Sequence, residues 1–130
     1  MVVSNKEIMK SHLDLEIYKK AFDLAFDIHN MTMKLPKYEL YEQGSQIRRS
    51  SKSIKDNIAE GFGRRRYKAE FIRFLIFAHG SCAETQSQLA MIKILHYPDS
   101  AAIDQLIENY NTLGRQLNVF IQYVEKNWRN

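Results

Sequence analysis

The chain has 130 residues, 45% hydrophobic and 26% charged, which excludes a disordered protein and fits one globular domain. Five glycines and two prolines are too few for the many turns of an all-β fold, so helices are expected. The formal net charge of +4 favours anionic partners. A single cysteine, and the absence of a signal peptide pattern or a long apolar stretch, predict a cytoplasmic protein without membrane spans.

The first predicted helix has apolar residues at alternating steps of four and three from Ile17 to Leu35. This spacing is typical of a helix packed lengthwise in a bundle. Asp14 is the predicted N-cap, and Pro36 ends the helix because the residue before a proline is pushed out of the α region. Residues 1–12 are predicted to form a loosely ordered tail, and residues 13–130 a single domain.

The second predicted helix runs from about Tyr41 to Phe62 and has a thin core stripe. Its stripe consists of Ile47, Ser51, Ile54 and Ile58. Small residues in such a stripe permit close helix approach but bury little apolar surface. Gly61 and Gly63 are expected to end this helix, since glycine readily takes the left-handed conformation that closes a helix.

The third and fourth predicted helices repeat the rhythm of the first. The third runs from Tyr67 to His96, and the fourth follows a turn in which Asp99 or Ser100 is the cap. The third stripe is Phe71, Leu75, Ala78, Cys82, Thr85, Leu89 and Ile92, and the fourth is Ile103, Leu106, Tyr110, Leu113, Leu117, Phe120 and Val124. Short loops between long helices predict an all-α, antiparallel, up-down-up-down four-helix bundle.

Two of these helices carry more apolar surface than one bundle has room to bury. Around Arg73 the third helix is apolar in nearly every direction, and the first helix has a second aromatic stripe. The predicted contacts between copies are Tyr18, Phe22, Phe26, Ile72, Phe74, Ile76 and Phe77. Each large side chain left in water forfeits roughly 1.5–3 kcal/mol, so a homo-oligomer is expected. The alternative is that these aromatics fill a wide core within one chain.

Positive charge is concentrated between Ser45 and Leu75, where nine basic residues and three acidic ones give a local charge of +6. We define the basic ridge as Arg48, Arg49, Lys52, Lys55, Arg64, Arg65, Arg66 and Lys68. With about 100° of turn per residue, its helical members Arg48, Lys52 and Lys55 fall within an arc of about 60°. Clustered cations of this kind predict binding to a nucleic-acid backbone, and the alternative is a solvated face that aids solubility.

The segment from Ser53 to Arg64 contains the run Asn-Ile-Ala-Glu-Gly at residues 57–61. It resembles the signature of a bacterial four-helix-bundle family. That family contains the proteins encoded by intervening sequences in 23S ribosomal RNA genes and the accessory variability proteins of diversity-generating retroelements. Other matching segments are residues 15–21, 45–49, 70–75 and 80–81, and the resemblance covers nearly the whole chain.

The resemblance implies a ring-like, homopentameric barrel without enzymatic activity, and the residues themselves predict neither a metal nor a cofactor. It also implies nucleic acid, including ribosomal RNA, as a partner and, in retroelements, a reverse transcriptase. Lys55-Asp56 departs from the Pro-Ser that is common in the family. The signature residues Asn57, Glu60 and Gly61 lie on the second predicted helix. Because Asn57 and Glu60 are three residues apart, we expect them to bond a neighbouring helix or subunit. A solvated polar face is the alternative.

An enzyme requires several reactive side chains in a defined arrangement, and the sequence contains few candidates for one. The four histidines do not follow a metal-binding spacing, and neither a phosphate loop nor a nucleophile elbow is present. Arg73 and His79 are similar to an arginine–histidine motif of all-α, metal-independent ribonucleases. Six positions on one helix nevertheless place these side chains about 120° apart. We therefore predict a non-enzymatic protein, with this ribonuclease and a scaffold that docks an acidic protein as alternatives.

Overall fold

The structure, a computed structural model, describes residues 9–129. A 3-10 turn at His12–Asp14 precedes four long helices and one short one. These are α1 (Glu16–Thr32), α2 (Lys37–Leu40), α3 (Gln43–Gly63), α4 (Lys68–His96) and α5 (Ala101–Asn127). Residues 9–129 include no β-strand, so the prediction of an all-α protein with four principal helices is confirmed.

The start of α1 differs from the prediction, because Asp14 is not its N-cap. The Asp14 carboxylate instead accepts hydrogen bonds from the backbone N–H groups of Lys10 at 2.9 Å and Ser11 at 3.2 Å. These two bonds, that of Lys10 foremost, lower the pKa of Asp14. Leu15 takes the N-cap position of α1 without a side-chain bond. The predicted tail falls mainly on residues outside the described part, and from Ser11 onward the chain is already in the capped turn.

The second predicted helix, from about Tyr41 to Phe62, corresponds to α3, and the short α2 that precedes it was not predicted. The short α2 is held against the end of α4 by Glu39, which is buried. The Glu39 carboxylate lies 2.7 Å from Nε2 of His96 and accepts a second bond of 2.7 Å from the Gln43 amide. The bond to His96, followed by that to Gln43, holds the pKa of Glu39 below its usual range.

The core consists of the predicted stripes. Every stripe residue named above for α3, α4 and α5 is buried, as are Ile17, Ala21, Leu24 and Ile28 of α1. The largest fully buried side chains are Tyr110, Phe62, Phe71 and Phe120. Ser100 caps α5, since its hydroxyl accepts from the N–H of Ile103 at 3.2 Å, which confirms one of the two predicted caps. Burial of these stripes is the main favourable term in folding.

Each long helix packs against two others, and α3 and α4 make the largest of these interfaces. Along α3 the residues Ser50, Ser53 and Gly61 meet α4 at Gln88, Ser81 and Phe74 respectively. The contacts therefore run in opposite order along the two helices. Arg49 of α3 and Arg64 of the following turn lie beside this interface.

The end of α3 corrects a second prediction. No residue within 9–129 has a positive φ angle, so glycine does not close α3 in the left-handed conformation. The N–H of Arg64 bonds the carbonyl of Glu60 at 3.2 Å instead. Gly61 is required for a different reason, because a Cβ there would lie 3.1 Å from the Phe74 Cβ and 3.3 Å from the Phe71 carbonyl oxygen. Gly61 lets α3 and α4 approach closely.

Candidate nucleic-acid interface

The exposed part of the basic ridge on α3 is formed by Arg49 and Lys52. The core stripe holds Ile47, Ile54 and Ile58 on the inner face, and at about 100° of turn per residue Arg49 and Lys52 lie on the opposite side of α3. Arg49 and Lys52 are both exposed, and neither has a hydrogen-bond or ion-pair partner among residues 9–129. Their charges are therefore available to an anion.

Two other members of the ridge on α3 are engaged within the chain. Arg48 is half-buried, and its Nη2 donates to the Leu40 carbonyl at 2.7 Å, which ties α2 to α3. The Lys55 ammonium lies 2.7 Å from the Asp56 carboxylate and 5.7 Å from the centre of the Phe22 ring. Of the three residues expected to share one solvent-facing arc, only Lys52 is exposed.

The turn between α3 and α4 likewise holds two of its arginines. The Nε of Arg64 donates to Glu60 at 2.7 Å, and its Nη1 to Glu70 at 3.2 Å. The bond to Glu60 raises the pKa of Arg64, which remains a cation throughout. Arg65 donates to the Phe62 carbonyl at 2.9 Å and stacks 4.0 Å above the Phe62 ring. The contacts of Arg64 and Arg65 stabilise the turn between α3 and α4.

The last two members of the ridge differ in exposure. Arg66 is exposed and lies 5.9 Å from the ring of Tyr67, which is itself exposed. Lys68 is half-buried and donates to the Glu125 carbonyl on α5 at 2.6 Å. A guanidinium beside an exposed aromatic ring offers both a charge for a phosphate and a face for a base.

The signature residues form bonds at the α3–α4 interface. The Asn57 amide donates to the Ser53 carbonyl at 2.9 Å and to its hydroxyl at 3.0 Å. The Ser53 hydroxyl lies 3.0 Å from that of Ser81 on α4. Asn57 thus reaches the neighbouring helix only through Ser53. Glu60 holds Arg64, whose other bond reaches Glu70 at the start of α4.

The comparisons with known proteins identify the family and the fold of the chain. A model of the 23S rRNA-intervening sequence protein family matches residues 13–119. The chain belongs to this family. None of the curated proteins matches the chain. A solved structure of a protein of unknown function, from the S23 ribosomal protein family of Bacteroides thetaiotaomicron, is similar with a TM-score of 0.69. The two share 23% identity over 82% of this chain and 95% of the other, which supports the fold alone.

In this member of the 23S rRNA-intervening sequence protein family, the residues predicted to join copies fall into two groups. Phe22, Phe26, Ile76 and Phe77 are exposed by 48%, 61%, 52% and 44% respectively, so they do not fill the core of a single chain. Tyr18, Ile72 and Phe74 are half-buried. The alternative of a wide intramolecular core is therefore wrong for the four exposed residues.

The two residues of the ribonuclease alternative have separate surroundings. Arg73 bonds Glu70 and lies over the rings of Phe74 and Phe77. His79 instead lines a polar hollow between α4 and α5 together with Arg115. Cys82 is buried, as predicted, and burial raises the pKa of its thiol to about 11. A buried thiol with a raised pKa is a poor nucleophile.

Two further observations concern the described part of the chain. Within residues 9–129, the histidine, cysteine and acidic side chains do not gather into a group of three or more able to hold a metal ion. No helix in that range combines the length and apolarity needed to cross a bilayer.

Sequence reasoning missed the hydrogen bonds between polar residues at the α3–α4 interface. The Ser50 hydroxyl lies 2.7 Å from the Gln88 side-chain oxygen, and Thr85 donates to Ser50 at 2.9 Å. The available signal was a run of small polar residues at core spacing on both helices. Such residues bury hydroxyls where a partner of matching chemistry faces them across the interface.

Proposed function

We propose that this protein is a non-enzymatic nucleic-acid-binding factor, built as an antiparallel bundle that assembles with copies of itself into a ring. The observation that carries the proposal is the set of exposed cations on α3 and in the turn that follows it, Arg49, Lys52 and Arg66. Family membership supports it, since the family takes its name from an intervening sequence of 23S rRNA. The resemblance to pentameric relatives supports five copies.

Self-association gives these few cations greater effect. Three accessible charges in one chain bind a phosphate backbone weakly, because each contact in water is modest and screened by salt. In a ring the same charges recur at each subunit, and the contacts add through effective concentration. The exposed aromatics Phe22, Phe26 and Phe77 provide the apolar surface that a neighbouring copy would cover.

The assembly is tested by size-exclusion chromatography with light scattering at micromolar concentration. We expect a mass several times that of the 15.3 kDa chain. Phe26→Glu places a charge on the exposed stripe of α1 and should shift the mass toward that of one chain. Val119→Glu introduces the same charge at an exposed apolar site on α5 outside the predicted contacts and serves as the control. A monomeric wild-type protein would contradict the proposed assembly.

Binding is tested by fluorescence anisotropy of labelled single-stranded and duplex oligonucleotides across a salt series. Because each neutralised phosphate adds about 0.7 to 0.9 to the slope of log K against log salt, affinity should fall steeply with salt. The triple variant Arg49→Gln, Lys52→Gln, Arg66→Gln should bind more weakly on every sequence and with a shallower slope.

The matched control for that experiment removes positive charges of the basic ridge that are already engaged within the chain. Arg64→Gln and Arg65→Gln take away two cations that already have partners within the chain. We expect these variants to change stability more than affinity. Binding that is independent of salt would contradict the proposal, as would equal losses from the free and the paired cations.

A catalytic role is tested in parallel with His79→Ala. We expect neither wild-type protein nor this variant to cleave RNA. Cleavage by the wild-type protein that the variant abolishes would instead favour the ribonuclease alternative. Binding of an acidic protein with no measurable affinity for nucleic acid would favour the scaffold, for which a reverse transcriptase from the same genome is the natural probe.

A further inference from the structure

A polar hollow lies between α3 and α4, next to the free part of the basic ridge. Its volume is about 440 Å³. The lining residues come from both helices and are Gln46, Arg49, Ser50, Ser53, Glu84 and Gln88. All six carry hydrogen-bonding side chains. This composition differs from that of an apolar groove awaiting another helix.

The floor of the hollow is fixed by bonds within the chain. The Ser50 hydroxyl lies 2.7 Å from the side-chain oxygen of Gln88 and accepts from Thr85 at 2.9 Å. The Ser53 hydroxyl is held at 3.0 Å from Ser81. Because its oxygen is engaged by Ser50, Gln88 keeps its amide N–H groups for another acceptor. The site is thus preorganised on two rigid helices.

The rim carries three side chains without a partner. Gln46, Arg49 and Glu84 are exposed, and none of their side chains has a hydrogen bond or ion pair with any residue in 9–129. Arg49 and Glu84 have opposite charges and line the same hollow, yet they do not pair with each other. A ligand that presents acceptors to one and donors to the other would satisfy both.

The chemistry of the nucleobases selects one such ligand. Guanine presents O6 and N7 as two neighbouring acceptors, the pair that an arginine guanidinium binds with two parallel bonds. It also presents N1–H and N2–H₂ as two neighbouring donors, which suit the two oxygens of a carboxylate. Adenine lacks the paired acceptors, and cytosine and uracil lack the N7 position. Guanine alone matches both Arg49 and Glu84.

We propose that this hollow binds the base of an unpaired guanine in single-stranded nucleic acid. The base must be unpaired, since N1–H and N2–H₂ are engaged in a duplex. Lys52 lies three residues after Arg49 and is its neighbour on the helix surface, where it would meet the adjoining phosphate. The inference rests on the nucleic-acid binding proposed above and adds a base preference to it.

The experiment compares three oligonucleotides that differ at one atom or group. Each is a short oligouridine with a single central purine, which is guanosine, inosine or 7-deazaguanosine. Inosine lacks the 2-amino group that would donate to Glu84, and 7-deazaguanosine lacks the N7 that would accept from Arg49. By anisotropy at fixed salt, we expect each replacement to weaken binding about tenfold, as for the loss of a bidentate base contact.

Two variants then assign each preference to its residue. Glu84→Ala should make guanosine and inosine equivalent while 7-deazaguanosine still binds more weakly. Arg49→Ala should make guanosine and 7-deazaguanosine equivalent while inosine is still discriminated. Glu108→Ala and Arg115→Ala remove an exposed carboxylate and an exposed guanidinium from α5, and both should retain the wild-type preferences.

The outcomes separate this inference from the function on which it rests. Equal, salt-sensitive binding of all three oligonucleotides would overturn the guanine site and leave backbone binding intact. An absence of binding to every oligonucleotide would overturn both. Guanosine monophosphate, added at the concentration of the oligonucleotide, should not displace it. Displacement by the free nucleotide would overturn the assignment of the site to a strand.

Discussion

The two sides of α4 pack by different chemistry. Toward α5 the buried centre of the interface is aromatic, with the Phe71 ring 5.9 Å from that of Phe120 and 5.0 Å from that of Trp128. Toward α3 the Phe62–Phe71 ring pair is joined by buried hydroxyls, among them Ser50 and Thr85, and by the close contact at Gly61. Buried hydroxyls that bond each other therefore distinguish the α3 side of α4.

The α4–α5 and α3–α4 interfaces therefore contribute differently to the fold. Apolar burial is non-directional and supplies most of the free energy of folding, so the α4–α5 interface acts mainly as a source of stability. Hydrogen bonds between buried hydroxyls add little net free energy, but they are costly to leave unmade and so fix one register. The α3–α4 interface thereby fixes the spacing of the two helices that carry Arg49 and Glu84.

The largest expected effect is on the apolar side. Phe71→Ala removes a fully buried ring that packs against Phe62, Phe120 and Trp128. We expect it to lower the free energy of unfolding by about 3–5 kcal/mol, because lost burial and the remaining cavity add together. Urea denaturation at fixed protein concentration measures this. The exposed Val119→Ala should change stability by about 0.5 kcal/mol or less, and a similar loss from both variants would contradict the assignment.

At the α3–α4 interface the expected loss of unfolding free energy is smaller, and the loss from one hydroxyl depends on whether its bonding partner is still present. Thr85→Val keeps the shape but removes the hydroxyl that donates to Ser50, and should cost about 1–3 kcal/mol. Ser50→Ala should cost a similar amount, since Gln88 also loses a partner. The double variant should lose less than the two single losses together, because both hydroxyls are then gone. Strictly additive losses would show that the two residues do not act as one unit.

The contrast between the two interfaces also explains how far sequence reasoning succeeded. An apolar stripe leaves a period in the sequence, and the stripe from Phe71 to Ile92 was predicted residue by residue and is buried. The end of α4 at His96 and the cap at Ser100 followed from equally local signals. Fold class and core needed no knowledge of distant contacts.

Polar residues carry no comparable signal, since a paired and a solvated side chain have the same letter in the sequence. Arg48 and Arg49 are adjacent, yet one bonds the Leu40 carbonyl and the other is free. Glu39 and His96 are 57 positions apart, so no local pattern relates them. Asp14 fits an N-cap by sequence, but accepting the Lys10 and Ser11 N–H groups draws it into the preceding turn. The sequence located the basic ridge as a segment, and the structure shows which of its charges are engaged within the chain.

The smallest expected effect tests how the polar interface sets its spacing. Gly61→Ala and Gly63→Ala lie two positions apart near the end of α3, and alanine favours a helix over glycine by up to about 1 kcal/mol. A Cβ at Gly63 meets no atom within 4 Å, whereas one at Gly61 lies 3.1 Å from Cβ of Phe74. We therefore expect Gly61→Ala to be less stable than Gly63→Ala by about 1 kcal/mol, measured by urea denaturation, because helices α3 and α4 must move apart. Equal stability of the two variants would mean that the hydroxyl contacts alone hold the helices at their distance, and that Gly61 is not required for it.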